Sequence, residues 1–447
     1  MALLAALPLS TCLAAVFLGG ILLGSLVNWA IYRLACNPRE ISPWGPTPTD
    51  APPRCWRDRI PVLGWLGLRR ERKIHGDIFW VRPLMIELML GLGLAALYWW
   101  ENVELGLILP QINAFPFPFQ IANAPGIVPA WVTHQGFIAH AVLIVLMTSA
   151  SFIDIDEKII PDEITVPGTL LGLALATILP LSLLPHIALR SLPPAVGVPV
   201  TIPEVALPQG ALFFAEPVTL TCPNLWPSQL EGAPNWKSLV IGQACWWFWC
   251  FAIAPRIWRG RHGPARALQL IARRVGRELT RVPLGFIAWS GSLAIAAIWW
   301  WGEAAWVSLL TSLIGLAVSG GLIWIVRIVG TVALGREAMG FGDVTLMMMV
   351  GTFLGWQAGV LIFFISPFAG LIVGLVQAVT RRDDVIPYGP FLCLGSLLVM
   401  IMWPTVWNMG MQDLFHVGWL VPVVLAVCFV SLFGLLGIWQ QIKTRIF

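Results

Sequence analysis

Ala305-Trp306-Val307-Ser308-Leu309-Leu310-Thr311-Ser312-Leu313-Ile314-Gly315-Leu316-Ala317-Val318-Ser319-Gly320-Gly321-Leu322-Ile323-Trp324-Ile325-Val326 contains no charged side chain. A helix rises about 1.5 Å per residue, so about 20 such residues cross the hydrocarbon core of a bilayer. Runs of this kind recur at 8–33, 84–100, 137–153, 164–186, 239–255, 283–301, 305–330, 344–356, 359–379, 389–403 and 418–438. The 344–356 run is short, which implies a tilted or irregular span. Only 11% of the 447 residues are charged and 58% are hydrophobic, whereas a soluble domain carries about 25% charged residues. A surface facing water on all sides is thereby excluded. The pattern predicts an all-α polytopic integral membrane protein with about 11 transmembrane helices.

Lys and Arg in the loops set orientation. The loop 34–83 carries Arg39, Arg54, Arg57, Arg59, Arg69, Arg70, Arg72, Lys73 and Arg82, and the loop 256–282 is also rich in arginine. The segment 101–136 has neither Lys nor Arg, and the proline-rich segment 187–238 has only Arg190 and Lys237. The basic loops are therefore expected inside, with the N-terminus outside. Within 256–282, Leu268, Ile271 and Val275 fall at helical spacing among arginines, a pattern that anionic lipid headgroups attract. The first apolar run lacks a basic flank, so it reads as an ordinary first helix rather than a cleaved signal, despite a loose lipoprotein-like box ending at Cys12. The Trp pairs and triplet Trp99-Trp100, Trp246-Trp247 and Trp299-Trp300-Trp301 suit interfacial anchoring. The segment 187–238 reads as a passive insertion.

Two acidic strings interrupt the apolar pattern. Ser151-Phe152-Ile153-Asp154-Ile155-Asp156-Glu157-Lys158-Ile159-Ile160-Pro161-Asp162-Glu163 packs acid where one apolar run ends. In Glu337-Ala338-Met339-Gly340-Phe341-Gly342-Asp343-Val344, an aspartate after two glycines opens the next run. The loop count brings Asp154, after the third span, and Asp343, after the seventh, to the same inner face. Peptide hydrolysis without a metal or covalent nucleophile needs two carboxyl groups, one ionised to take a proton from water and one protonated to bond the scissile carbonyl. Glycines before Asp343 let backbone and substrate approach closely. Asp156, Glu157 and Glu163 read as solvated charges, and Asp162 as a helix cap.

At these strings the sequence resembles a known family. Gly340-Phe341-Gly342-Asp343 resembles the GxGD signature of intramembrane aspartyl peptidases, and the longer string 337–346 resembles that of type IV prepilin peptidases. Asp154, followed at a distance by Ile160-Pro161-Asp162, resembles the family's other motif. The resemblance implies Asp154 and Asp343 as catalytic residues, with Gly340, Gly342, Pro161 and Asp162 as motif support. Further likenesses lie at Gly24-Ser25-Leu26-Val27-Asn28 with Tyr32-Arg33, at 59–66, at Arg82-Pro83-Leu84-Met85-Ile86-Glu87, and at Ile386-Pro387-Tyr388-Gly389-Pro390-Phe391-Leu392. The implied activity is removal of the leader from prepilin or pseudopilin precursors at the cytoplasmic face of a bacterial inner membrane, without a cofactor. A second activity, N-methylation from S-adenosylmethionine, is associated with the N-terminal half, here Asn28, Arg33, Pro61, Arg82, Pro83 and Glu87. The implied partners are prepilin substrate helices and the lipid bilayer; no nucleic acid is expected, and oligomeric state is not legible.

The chain departs from the family in two ways. Many members carry paired CxxC motifs in the first cytoplasmic loop, whereas this chain offers Cys36, Cys55 and His75. Tetrahedral zinc needs about four ligands, so neither zinc nor another metal is expected, and the eight scattered cysteines form no readable framework. Family members are also commonly shorter. The layout expected is a first span at 1–33, a cytoplasmic loop domain at 34–83, membrane core at 84–186 and 283–403, an insertion at 187–282, and an extra terminal span at 404–447. The rival readings are a transporter or channel using intramembrane acids and an inactive secretion-system scaffold. A transporter should place its acids near mid-span, and a scaffold need not keep both aspartates.

Overall fold

The computed structural model describes residues 8–35, 41–45, 47, 51–108, 110–111, 130–191, 211–223, 235–254, 273, 276–277, 284–380 and 387–446. Cys36, Arg39, Leu268, Ile271, Val275 and Ile386 lie outside them. The long helices are α1 (Leu9–Arg33), α2 (Val81–Tyr98), α3 (Ala130–Glu157), α4 (Asp162–Ile178), α5 (Trp236–Ile253), α6 (Leu284–Trp301), α7 (Glu303–Leu334), α8 (Phe341–Thr380), α9 (Gly389–Val406) and α10 (Leu420–Ile446). Short helical turns fill 56–75. The fold is that of an all-α polytopic membrane protein. It carries one addition that the sequence reading lacked, an antiparallel pair of strands, β1 (Pro185–Ser191) and β2 (Ala211–Pro217).

Among the described residues, 8 helices are long and apolar enough to cross a membrane, fewer than the expected 11 or so. The expected run 164–186 stops at Ile178. Pro180 cannot continue a helix, and the chain passes into β1. The runs 344–356 and 359–379 form one element, α8, whose backbone leaves helical geometry at Gly355 (φ 81°, ψ 175°). A side chain at that positive φ would be strained, so glycine is the residue that allows the break. Helix α5 is not among the 8; Lys237, Ser238 and Gln243 dilute its apolar character.

The chain divides into two compact units, residues 1–165, 181–217 and 366–411, and residues 166–180, 218–365 and 412–447. In the first unit, α1 lies against α2 through glycines. A Cβ at Gly24 would stand 2.6 Å from Glu87 Cα, and one at Gly20 2.8 Å from Gly91 Cα. Small residues give membrane helices the close approach that dispersion needs, since lipid offers no hydrophobic drive between helices. The helix α3 packs on α9. The strand pair is tied into this unit where the Pro185 carbonyl accepts from Gln111 Nε2 (3.0 Å) and Trp403 Nε1 (2.9 Å).

The second unit repeats the device. A Cβ on Gly315 of α7 would meet the Gly351 carbonyl of α8 at 2.2 Å, and the reverse is also true. Residues 218–223, at the end of that insertion, pack into this unit. Thr311 Oγ1 accepts from Leu220 N at 3.1 Å. Trp356 Nε1 donates to the Leu220 carbonyl at 3.1 Å, and Gln357 Nε2 to those of Thr219 and Cys222 at 2.7 and 3.1 Å. Irregular backbone of this kind is tolerated inside a membrane protein where protein groups satisfy it. Trp246 is no interfacial anchor. It is 2% exposed, and its Nε1 donates to the Ala288 carbonyl at 2.9 Å. Trp300 and Trp301 are exposed, as anchors should be.

Candidate active site

Asp154 belongs to the first unit. It lies in the last turn of α3 rather than after it, because the helix runs on to Glu157. Lys158 ends the helix, with its N–H on the Asp154 carbonyl at 2.8 Å and its φ at 58°. Pro161 is buried, and Asp162 opens α4 at the surface. The Asp154 side chain is 5% exposed. Its Oδ2 accepts from the N–H of Gly389, the first residue of α9, at 3.1 Å. Asp156 has a different environment. Arg82 Nη1 pairs with its Oδ1 at 2.8 Å while Nη2 donates to the Phe152 carbonyl at 3.3 Å, and the guanidinium lies 4.9 Å from the Phe152 ring centre. Two aspartates two residues apart are thus divided: one neutralised by arginine, one held by a backbone donor.

Asp343 belongs to the second unit. It occupies the first turn of α8 and is 7% exposed. The loop before it starts at Gly335, whose φ of 67° caps α7 with an N–H on the Thr331 carbonyl at 3.0 Å. Arg327 of α7 reaches back over this loop. Its Nε donates to the Met339 carbonyl at 3.0 Å, Nη2 pairs with Glu337, and the guanidinium lies 5.5 Å from the Phe341 ring centre. A Cβ at Gly340 would come 3.8 Å from Asp343 Oδ2, ordinary contact distance, so this glycine is not forced by crowding. Arg327 was missed in the sequence, and Gly389 was noted only as part of the 386–392 string. Arg327 could have been noticed as a charge within the 305–330 run.

The N-terminal group of expected residues is brought together in part. Glu87 is fully buried. Its Oε1 accepts from Asn28 Nδ2 (3.0 Å) and Trp65 Nε1 (2.8 Å), and its Oε2 from Val62 N (2.5 Å). Asn28 Nδ2 also donates to the Pro83 carbonyl at 2.9 Å, while Asn28 Oδ1 is buried without a hydrogen-bond partner. The Pro61 carbonyl accepts from Leu63 N at 2.7 Å. One carboxylate therefore ties α1, α2 and the turn after Pro61 into a single knot. Arg33 is exposed and outside it, and Arg82 turns to Asp156. Beside the knot, Glu71 is clasped by Arg54 at 3.0 and 2.7 Å, with His75 at 3.4 Å. Cys55 is an exposed free thiol. Among the described residues no group of three or more His, Cys, Asp or Glu side chains could hold a metal ion.

Such an arrangement defines a class: a multi-pass helical membrane protein with a buried aspartate at the end of one helix and another at the start of a second. Residues 277–375, the stretch that contains Asp343, match the type IV leader peptidase family. The sequence around Asp343 is thus similar to that family. Curated relatives are prepilin leader peptidase/N-methyltransferases. That of Pectobacterium carotovorum subsp. carotovorum is 34% identical over 104 residues, 22% of this chain and 37% of the relative. That of Myxococcus xanthus (strain DK1622) is 31% identical over 160 residues, 36% of this chain and 39% of the relative. That of Burkholderia pseudomallei (strain K96243) is 34% identical over 140 residues, 29% of this chain and 44% of the relative. The matches thus span less than half the length of these relatives. No solved structure matches.

Proposed function

We propose that this protein is a membrane-embedded aspartyl endopeptidase that removes the leader from type IV prepilin or pseudopilin precursors at the cytoplasmic face of a bacterial inner membrane. The observation that carries the reading is the burial of Asp154 and Asp343, each in its own acidic string and each at a helix end. The family match at 277–375 supports it. The Arg82–Asp156 ion pair supports Asp154, rather than Asp156, as the first catalytic group, since Asp156 Oδ1 is already engaged by a guanidinium. In the proposed reaction one carboxylate takes a proton from water as the oxygen attacks the scissile carbonyl. The other, protonated, hydrogen-bonds the carbonyl oxygen as it gains charge. The proton then passes to the leaving amine as the C–N bond breaks.

N-methylation of the new N-terminus from S-adenosylmethionine is part of the proposal, on the strength of the relatives' names. Of the residues implied for it, Glu87 and Pro83 do not fit as direct holders of that cofactor. Both Glu87 oxygens are already taken, and Asn28 and Pro83 are bonded within the same knot. They are the framework that fixes the turn after Pro61, and no step is assigned to them.

Co-expression with a cognate prepilin tests the peptidase. Asp154→Ala and Asp343→Ala should each abolish leader removal, read by gel shift and N-terminal sequencing, while the protein stays in the membrane. The double variant should be no worse than either single one, because groups that act as a unit are not additive. Full processing by either single variant would overturn the reading. Mass spectrometry of the mature N-terminus reads methylation separately.

A further inference from the structure

We propose that Gly389 is a positioning residue for Asp154: its N–H holds Oδ2, its missing side chain makes the room, and Oδ1 is left as the oxygen that exchanges protons. This rests on the reading of Asp154 as catalytic. Three observations, all within the first unit, carry it.

The first is the bond itself, 3.1 Å from Gly389 N to Asp154 Oδ2 across 235 residues of sequence. The first N–H groups of a helix have no partner within it. Pro390 follows and has no N–H, so Gly389 is the sole donor of the first two positions of α9. The N–H groups of Phe391 and Leu392 are already on the Tyr388 carbonyl. The second is space. A Cβ on Gly389 would stand 2.5 Å from Asp154 Oδ2 and 2.9 Å from Ile160 Cδ1. Any side chain there would force the carboxylate and the end of Ile160 to shift. The third is asymmetry. Among the described residues Asp154 makes no ion pair and no second hydrogen bond through its side chain, so one oxygen is fixed and the other is not. A carboxyl that handles protons needs that division: one oxygen anchored by a rigid helix end, the other aimed at the reacting atoms. Ile160, just before Pro161, closes the same space, which explains in physical terms why the string after Asp154 and the string around Gly389 belong together.

The test uses the full-length protein in membranes with a cognate prepilin. Gly389→Ala should lower kcat about 100-fold, the scale of a misplacement near 1 Å, while KM stays within about 2-fold, as expected of a group that acts only in the chemical step. Ile160→Val, which removes Cδ1, should be active, and the Gly389→Ala/Ile160→Val double variant should remain as slow as Gly389→Ala. Recovery in the double variant would show that the glycine is needed against Ile160 and overturn the proposal. So would a normal kcat in Gly389→Ala while Asp154→Ala is inactive. An active Asp154→Ala would instead remove the catalytic reading beneath it. A second measurement does not depend on Gly389→Ala folding: hydrogen exchange at the Gly389 amide should quicken at least about tenfold in Asp154→Ala, since no other acceptor replaces the carboxylate. Unchanged exchange there would also overturn it.

Discussion

Arg327 shows what a single residue adds that spacing does not reveal. It breaks an otherwise uncharged stretch, and a charge at that depth persists only where it is paired. The structure pairs it with the loop before Asp343, through the Met339 carbonyl, Glu337 and the face of Phe341. A planar fork that makes all three contacts at once is not replaced by an ammonium. Arg327→Ala is expected to slow leader removal about 100-fold and Arg327→Lys about 10-fold, through displacement of Asp343. Initial cleavage rates at equal membrane levels check this, and a wild-type rate for Arg327→Ala would sink it. At this scale the sequence reading singled out the two aspartates from their strings, the loop count and the family resemblance together. It could not see that Arg82 would neutralise Asp156, nor that Gly389 would reach Asp154, because both contacts join residues far apart in the chain that only helix packing brings together.

The elements were more legible than their ends. Apolar runs located most of the helices, since hydrocarbon thickness imposes a length that composition reveals. Ends depended on local chemistry that a window averages away: Pro180 after α4, and the positive φ of Gly355 within α8. The short turns at 56–75 had no apolar periodicity to announce them, and they are held by charge. Asp58 is buried, and Arg70 grips its two oxygens at 2.9 and 2.5 Å. The Arg70 guanidinium holds the Asp58 carboxyl below the usual carboxylate range, with the Cys55 N–H adding to the effect and burial opposing it. A carboxyl whose folded-state pKa is depressed stabilises the fold above its unfolded value, about 4, and loses that contribution as pH falls through the folded one. Limited proteolysis of 51–80 in membranes should therefore show protection that holds from pH 7 to about 5 and fades below about 4. Asp58→Asn should be cut faster at pH 7 and respond less to acid. Arg54 clasps Glu71 in the same segment, so the difference between the two proteins is the quantity to read. Equal pH dependence would show that Asp58 does not hold the turns.

At the scale of the whole molecule, the proposed chemistry imposes a rule of parity. Both aspartates must reach one face of the membrane, so an even number of crossings must separate them. Between Asp154 and Asp343, α6 and α7 have the length and apolarity of spans, while α4 and α5 do not meet that standard. Parity then requires α4 and α5 either both to cross or both to stay on one side. The charge pattern decides between these. Residues 187–238 carry only Arg190 and Lys237, whereas 256–282 is rich in arginine, and short basic loops stay inside. Residues 218–223 also bond to Thr311, near the start of α7, which is the end the loop count puts outside. The expectation is that both cross. Alkaline phosphatase fused after Pro223 should be active, and fused after Arg277 inactive, in cells that export the enzyme. Activity at neither site would mean that both helices lie on the inner side, which keeps the parity and loses the crossing. Activity after both sites would put Asp154 and Asp343 on opposite faces, and no arrangement of the remaining helices could then deliver two carboxyl groups to one peptide bond.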